Sequence, residues 1–201
     1  MKTKIPLLIG LGMMGILIIL GIAIPGTLTS FFRKPVLYRH ALFFHILSVS
    51  LFFAHAVFGI LWESRSLASQ SPVIILHTYR TVTWLDALIS SPLIIVAVLT
   101  GVILTASIGK MWDIGWLSYS FILFLFSGLI WVVLDIPTQY KIKNLMNEVK
   151  PDSSGLPPDL QTLLGKRLKI SLLGTIPLLI VFVLMIYKPG LPSIPRILSS
   201  F

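Results

Sequence analysis

The sequence predicts an all-α, polytopic transmembrane helix bundle: a four-helix core preceded by one N-terminal signal-anchor helix. Three observations carry that reading. Apolar residues make up 56% of the 201 positions and charged residues only 11%, with a mean hydropathy of +0.95, whereas a soluble domain carries about 25% charged residues. The apolar residues gather into stretches of the roughly 20 residues that a helix needs to cross a bilayer, where every backbone polar group must be bonded within its own helix. Prolines and charges fall mainly in the short segments between those stretches.

The first stretch, residues 5–24, is uncharged and follows Lys2 and Lys4. Its apolar run exceeds the roughly 7 to 15 residues of a secretory signal peptide and no A-x-A site follows, so it reads as a retained signal-anchor helix. Residues 31–40 make a short basic connection with Arg33, Lys34 and Arg39, and Pro25 and Pro35 act as breakers. A second span is expected over 41–62 and a third over 84–108, with 64–82 as a polar connection whose apolar residues 73–76 pack against the membrane interface. Residues 109–115 read as a tight turn with Lys110 and Asp113, where Trp112 and Trp116 fit an aromatic belt.

The fourth span is expected over 116–136. Pro137 ends or kinks it, and Ile142, Leu145, Met146 and Val149 beyond it mark an amphipathic extension expected at the membrane surface. Residues 150–165, containing PDSSGLPPD, have the composition of a flexible loop, and a last span follows over 168–187. The chain therefore divides into an N-terminal helix with its basic connection (1–40), a four-helix membrane domain (41–190) and a short C-terminal tail (191–201). The spans leave no length for a second globular domain.

The net charge of +9 does not indicate nucleic acid, because the Lys and Arg residues lie in short loops beside apolar runs, where positive charge sets topology. With the N-terminus in the cytoplasm, ten of the sixteen basic residues face the cytoplasm and six the other side. Lys141, Lys143, Lys150, Lys166, Arg167 and Lys169 supply the margin. The chain has no cysteine, which excludes disulfides, thiolate zinc sites, iron-sulfur ligation and thiol catalysis. It shows no internal repeat, P-loop, nucleophile elbow, zinc-protease motif or dinucleotide fingerprint.

Ionisable residues inside spans are the candidates for function, since they are costly there and are paired or functional. His45 and His55 lie ten positions apart in the second span, about 80° around the helix and about 15 Å along it. They cannot share one metal ion, and no metal site is expected. Haem b would need a mixed ligand set, His45 or His55 with His40, His77 or a methionine. Asp86 shares a face of the third span with Ser90, Ala97, Thr100 and Gly101, and Asp135 ends a stripe of Ser120, Phe124, Ser127 and Trp131 in the fourth. Because spans alternate in direction, Glu63, Asp86 and Asp135 converge at one mouth of the bundle, with Arg65, Arg80, Lys141 and Arg167 as available partners. Two readings follow: a set of ion pairs that fixes the bundle, or a polar pocket that relays protons or binds an anion.

The stretch from His45 to Pro189 resembles a family of predicted bacterial integral membrane proteins grouped as a domain of unknown function. The segments that carry the resemblance are HILSVSLFFAHAVFGILWE, WLDALISSPLIIVAVLTGVIL, WVVLDIPTQ and LGTIPLLIVFVLMIYKP. It implies a four-helix core in a bacterial cytoplasmic membrane, to which the first span is an addition. That family is in turn distantly similar to the copper-resistance D type and the membrane protoporphyrinogen oxidase type, a likeness that places His45 where a haem or metal ligand would stand. Three functions are then expected to compete. In a haem-linked redox protein, His45 is the axial ligand, His55, Asp86 and Asp135 handle protons, and Arg80 holds a propionate. A small proton-coupled or metal transporter would use the same polar sector, and a non-catalytic assembly subunit would bind another membrane protein. The lipid bilayer is a partner in all three.

Overall fold

The computed structural model describes residues 34–108, 111–149 and 155–199, together with Gly15 and Ile19. The expected signal-anchor helix over 5–24 otherwise lies outside the described residues. Helix α1 (Pro35–Ala68) begins on a proline, whose fixed φ and missing N–H suit the first helical position. It is broken only at residues 69–71, where Gln70 takes a left-handed φ of 53°, before α2 (Pro72–Leu85) starts on a second proline. The polar connection expected over 64–82 is therefore helical except for those three residues. Its polarity is one-sided: Ile75, Thr78, Tyr79 and Val82 are buried at offsets 0, 3, 4 and 7, one face of a helix. Residues 73–76 do not pack as a block, since Val73 is exposed and Ile75 buried.

From α2 the chain passes through a π-helical turn, Asp86–Ser90, into α3 (Ser91–Ile108). A 3₁₀ turn at Met111–Asp113 leads to α4 (Gly115–Ile130), a second π-helical turn, Trp131–Asp135, and α5 (Ile136–Glu148). Both π turns have the same local cause. Pro92 and Pro137 lack an N–H and would crowd the carbonyls four residues back, those of Leu88 and Val133, which lie inside the π turns. Widening the turn by one residue relieves that crowding without ending the helix. Pro137 is thus absorbed, and the fourth span runs on as a rod from Gly115 to Glu148.

Helix α6 (Pro158–Tyr187) ends at Lys188 in the left-handed region, and a short α7 (Ile194–Leu198) follows. Among the described residues four helical rods are long and apolar enough to cross a membrane: Pro35–Ala68, Pro72–Ile108, Gly115–Glu148 and Pro158–Tyr187. Helix α1 packs along α3 and α4 along α6, with α1 also meeting α6. Inside, small polar side chains allow close approach: Ser48, Thr100, Ser118, Ser120 and Ser127 are buried. Most bond a carbonyl of their own helix, whereas the Ser127 hydroxyl donates to the Gly174 carbonyl on α6 at 2.6 Å. Large apolar side chains such as Phe43, Phe58, Leu129 and Leu172 point outward, the arrangement of a bundle solvated by lipid.

Rods of 30 to 37 residues are about 45 to 55 Å long, well beyond a hydrocarbon core of about 30 Å. Their excess gathers at one end into a cap with its own core: Ile75, Tyr79, Ile142, Met146, Leu156, Leu160 and Leu164. The amphipathic extension expected at the membrane surface is α5, and it stands upright in this cap with Ile142 and Met146 buried. The loop expected over 150–165 is shorter for the same reason, because Leu160 and Leu164 are drawn into that core and α6 begins at Pro158. At the other end the tail folds back: a Cβ on Gly115 would collide with the Leu191 carbonyl, and Lys188 lies 5.5 Å from the Trp116 ring centroid.

Candidate functional site

Where the cap joins the spans, each of the four rods contributes one charged side chain to a single cluster. Arg167 on α6 is at its centre, only 3% exposed. It lies on the apolar face of its helix, in line with Leu160, Leu164 and Ile170, so the amphipathic start of α6 drives the guanidinium inward. Its Nη1 donates to Glu63 Oε1 of α1 at 2.6 Å. Nη2 donates to Asp86 Oδ2 at 3.3 Å, and Nε stands 3.5 Å from Asp135 Oδ1. This last limb is an ion pair without an aligned hydrogen bond, which leaves Arg167 Nε and Asp135 Oδ1 buried and unsatisfied. The planar fork of arginine suits this role, since one guanidinium can address several carboxylates at once.

Three further side chains touch these four. His55 Nε2 is 3.0 Å from the other Asp86 oxygen, Oδ1. Gln139, one turn beyond Asp135, donates to Asp135 Oδ2 at 2.6 Å. The Tyr79 ring lies 5.4 Å from the Arg167 guanidinium carbon, within the range of a cation–π contact, and its hydroxyl donates to the Leu164 carbonyl. Burial is uneven: the side chains of Glu63, Asp135 and Arg167 are 3%, 7% and 4% exposed, but Asp86 is 31% and His55 15% exposed. The Asp86–His55 pair is therefore the open edge of an otherwise closed cluster.

Both π turns bear on this geometry. Asp86 opens one and Asp135 closes the other, so two of the three acids sit where the helical ladder is locally widened. Such π turns within α-helices are frequent at functional sites.

The structure brings Glu63, Asp86 and Asp135 together, and His55 with them. It does not bring in His45 or Arg80. His45 is half-buried higher in the bundle, with Nδ1 2.9 Å from the Ala97 carbonyl and 3.2 Å from the Thr100 hydroxyl. A Cβ on Gly101 would stand 3.2 Å from its ring. Arg80 is exposed on α2, and the 17 positions separating it from Ala97 correspond to about 25 Å of helix. That is beyond the reach of one porphyrin, so Arg80 does not stand where it could hold a propionate of a haem ligated by His45. Sequence reasoning named Arg167 only among four available bases and passed over Tyr79 and Gln139. The signal for Arg167 was present in its place on the Leu160, Leu164, Ile170 face. Gln139 follows Asp135 by four positions and Tyr79 precedes Asp86 by seven, both helical spacings.

Residues 40–189 match the family described as predicted integral membrane protein (DUF2269). The chain belongs to that family. The match begins early in α1 and ends just past α6, so it includes every residue of the Arg167 cluster. Comparison with curated proteins and with solved structures returned no match. The protein is a multi-pass integral membrane protein, as the family and the four apolar rods both show.

Proposed function

We propose that the protein is a small proton-coupled membrane carrier whose proton-exchanging site is the Arg167 cluster. We place it in a bacterial cytoplasmic membrane with the N-terminus and the cap in the cytoplasm, an orientation supported by the excess of Lys and Arg in the loops of the cap side. The observation that carries the reading is the imbalance of the cluster: one guanidinium faces three carboxylates, and a histidine stands against one of them, Asp86. Buried charge without a full complement of opposite charge is costly in a membrane protein, and a proton is the smallest group that redresses it. Asp86 and His55 are the partly exposed members through which a proton enters or leaves, and Arg167 couples them to Glu63 and Asp135. Because Glu63, Asp86, Asp135 and Arg167 come from four different rods, a change of protonation alters contacts between all the spans.

Protein reconstituted into liposomes should collapse an imposed pH gradient, read with a trapped pH dye, and Asp86→Asn should slow that flux at least tenfold with the fold intact. Wild-type protein that leaves the gradient untouched while substrates of cationic and anionic class are offered would reduce the cluster to an ion-pair brace.

A second reading rests on His45. With Nδ1 held by the Ala97 carbonyl, its Nε2 is the nitrogen left for a ligand, the arrangement in which proteins orient histidines toward metals. Haem bound there would supply one-electron chemistry. Purified protein would then show a Soret band that His45→Ala removes, and colourless protein from haem-replete membranes would dispose of this reading.

A further inference from the structure

The charges at the level of the Arg167 cluster are sorted radially. The acids Glu63, Asp86 and Asp135 point inward, buried or half-buried. Within seven positions of those acids or of Arg167 along each rod, roughly two helical turns, the exposed charged side chains among the described residues are Arg65, Arg80, Lys141, Lys166 and Lys169. All five are basic, and every rod supplies at least one. The nearest exposed acid, Asp159, lies eight positions before Arg167.

This ring also stands at a definable depth. Trp62 and Trp84, 43% and 60% exposed, lie one and two positions from Glu63 and Asp86, as interfacial aromatics do. Along α6 the 18 positions from Lys169 to exposed Tyr187 span about 27 Å, close to the thickness of a hydrocarbon core. Directly above Lys169, at helical spacings, Leu172, Leu173, Ile176 and Ile180 form an exposed apolar stripe. A phospholipid lying along α6 would thus place its acyl chain on that stripe and its headgroup at Lys166 and Lys169.

From this sorting we infer that the basic ring binds the headgroups of anionic phospholipids, so that the protein collects a shell of negatively charged lipid around the mouth at which the Arg167 cluster lies. The inference does not rest on the proton-coupled reading. Lysines spaced three apart along a helix, as Lys166 and Lys169 are on α6, hold phosphates as point charges and leave the attached lipid free to exchange, so the expected behaviour is selectivity for a class of lipid and not one tight site.

The exposed tryptophans give a direct measurement. The intact chain is reconstituted in mixtures of zwitterionic lipid with either brominated phosphatidylglycerol or brominated phosphatidylcholine, and tryptophan quenching yields their relative association constants. Wild-type protein should favour phosphatidylglycerol several-fold at low salt, and Lys141→Gln, Lys166→Gln and Lys169→Gln combined should bring the ratio close to one. Arg39→Gln with Arg196→Gln, at the far end, should leave it unchanged. All these side chains are exposed, so the variants should melt like wild type. Equal quenching by the two lipids, an unaltered ratio in the triple variant, or an equal loss in the far-end variant would each overturn the assignment. So would abolition of the preference by inorganic phosphate at matched ionic strength, which would show small-anion sites instead.

Discussion

Arg167→Met should destabilise the bundle by about 3–5 kcal/mol, the penalty seen when one partner is removed from a buried ion pair and the opposite charge is left uncompensated. Here three carboxylates lose their common cation, so the effect should lie at the upper end of that range. Unfolding of the protein in detergent micelles measures it. The cause is separable from lost packing, because methionine keeps much of the apolar stem. Adding Glu63→Gln, Asp86→Asn and Asp135→Asn to Arg167→Met should recover most of the loss, as replacing a whole buried ionic group by neutral residues is often close to neutral. Arg167→Lys should fall in between, since a point charge on a flexible stem cannot address three acids from three helices. If Arg167→Met alone unfolds at the wild-type denaturant concentration, the cluster contributes nothing to holding the rods together.

Much of this arrangement was legible before any coordinates. Alternation of the spans alone places Glu63, Asp86 and Asp135 at one mouth, because Glu63 and Asp135 lie at the carboxyl ends of their apolar stretches and Asp86 at the amino end of its own. What the sequence hides is the cap. Hydropathy measures the average apolarity of a window, and the residues that build the cap, Ile75, Tyr79, Ile142, Met146, Leu160 and Leu164, are spaced along one face between charges. They raise no window far enough to look like a span and punctuate the chain too sparsely to look like a core. Prolines were misleading in the same region. Pro137 reads as the end of a helix or a kink in it, yet the π turn at Trp131–Asp135 absorbs it, and Pro72 and Pro158 each sit at the first position of a helix where sequence alone suggests a loop. The histidines were ambiguous for a different reason: His45 and His55 have similar flanks, and only tertiary partners separate the one bonded to a backbone carbonyl from the one paired with Asp86.

The cap makes a second large effect predictable, away from any charged group. Leu160 and Leu164 are completely buried, and truncating a fully buried leucine to alanine costs about 2–5 kcal/mol through lost burial and the cavity left behind. Leu164→Ala should show that loss in micelles, whereas Leu179→Ala, half exposed to lipid, should cost almost nothing because lipid refills the space. The consequence should reach the site. Leu164 lies three positions before Arg167 on the same face, and its carbonyl receives the Tyr79 hydroxyl whose ring lies against the guanidinium. Hydrogen exchange should therefore show α5 and the start of α6 losing protection first, with the amides of the spans unchanged. Proton flux should fall in Leu164→Ala although every ionisable group is still present. Uniform loss of protection along α6 would mean that cap and spans unfold as one unit, and the orientation of Arg167 would then be set by the carboxylates alone.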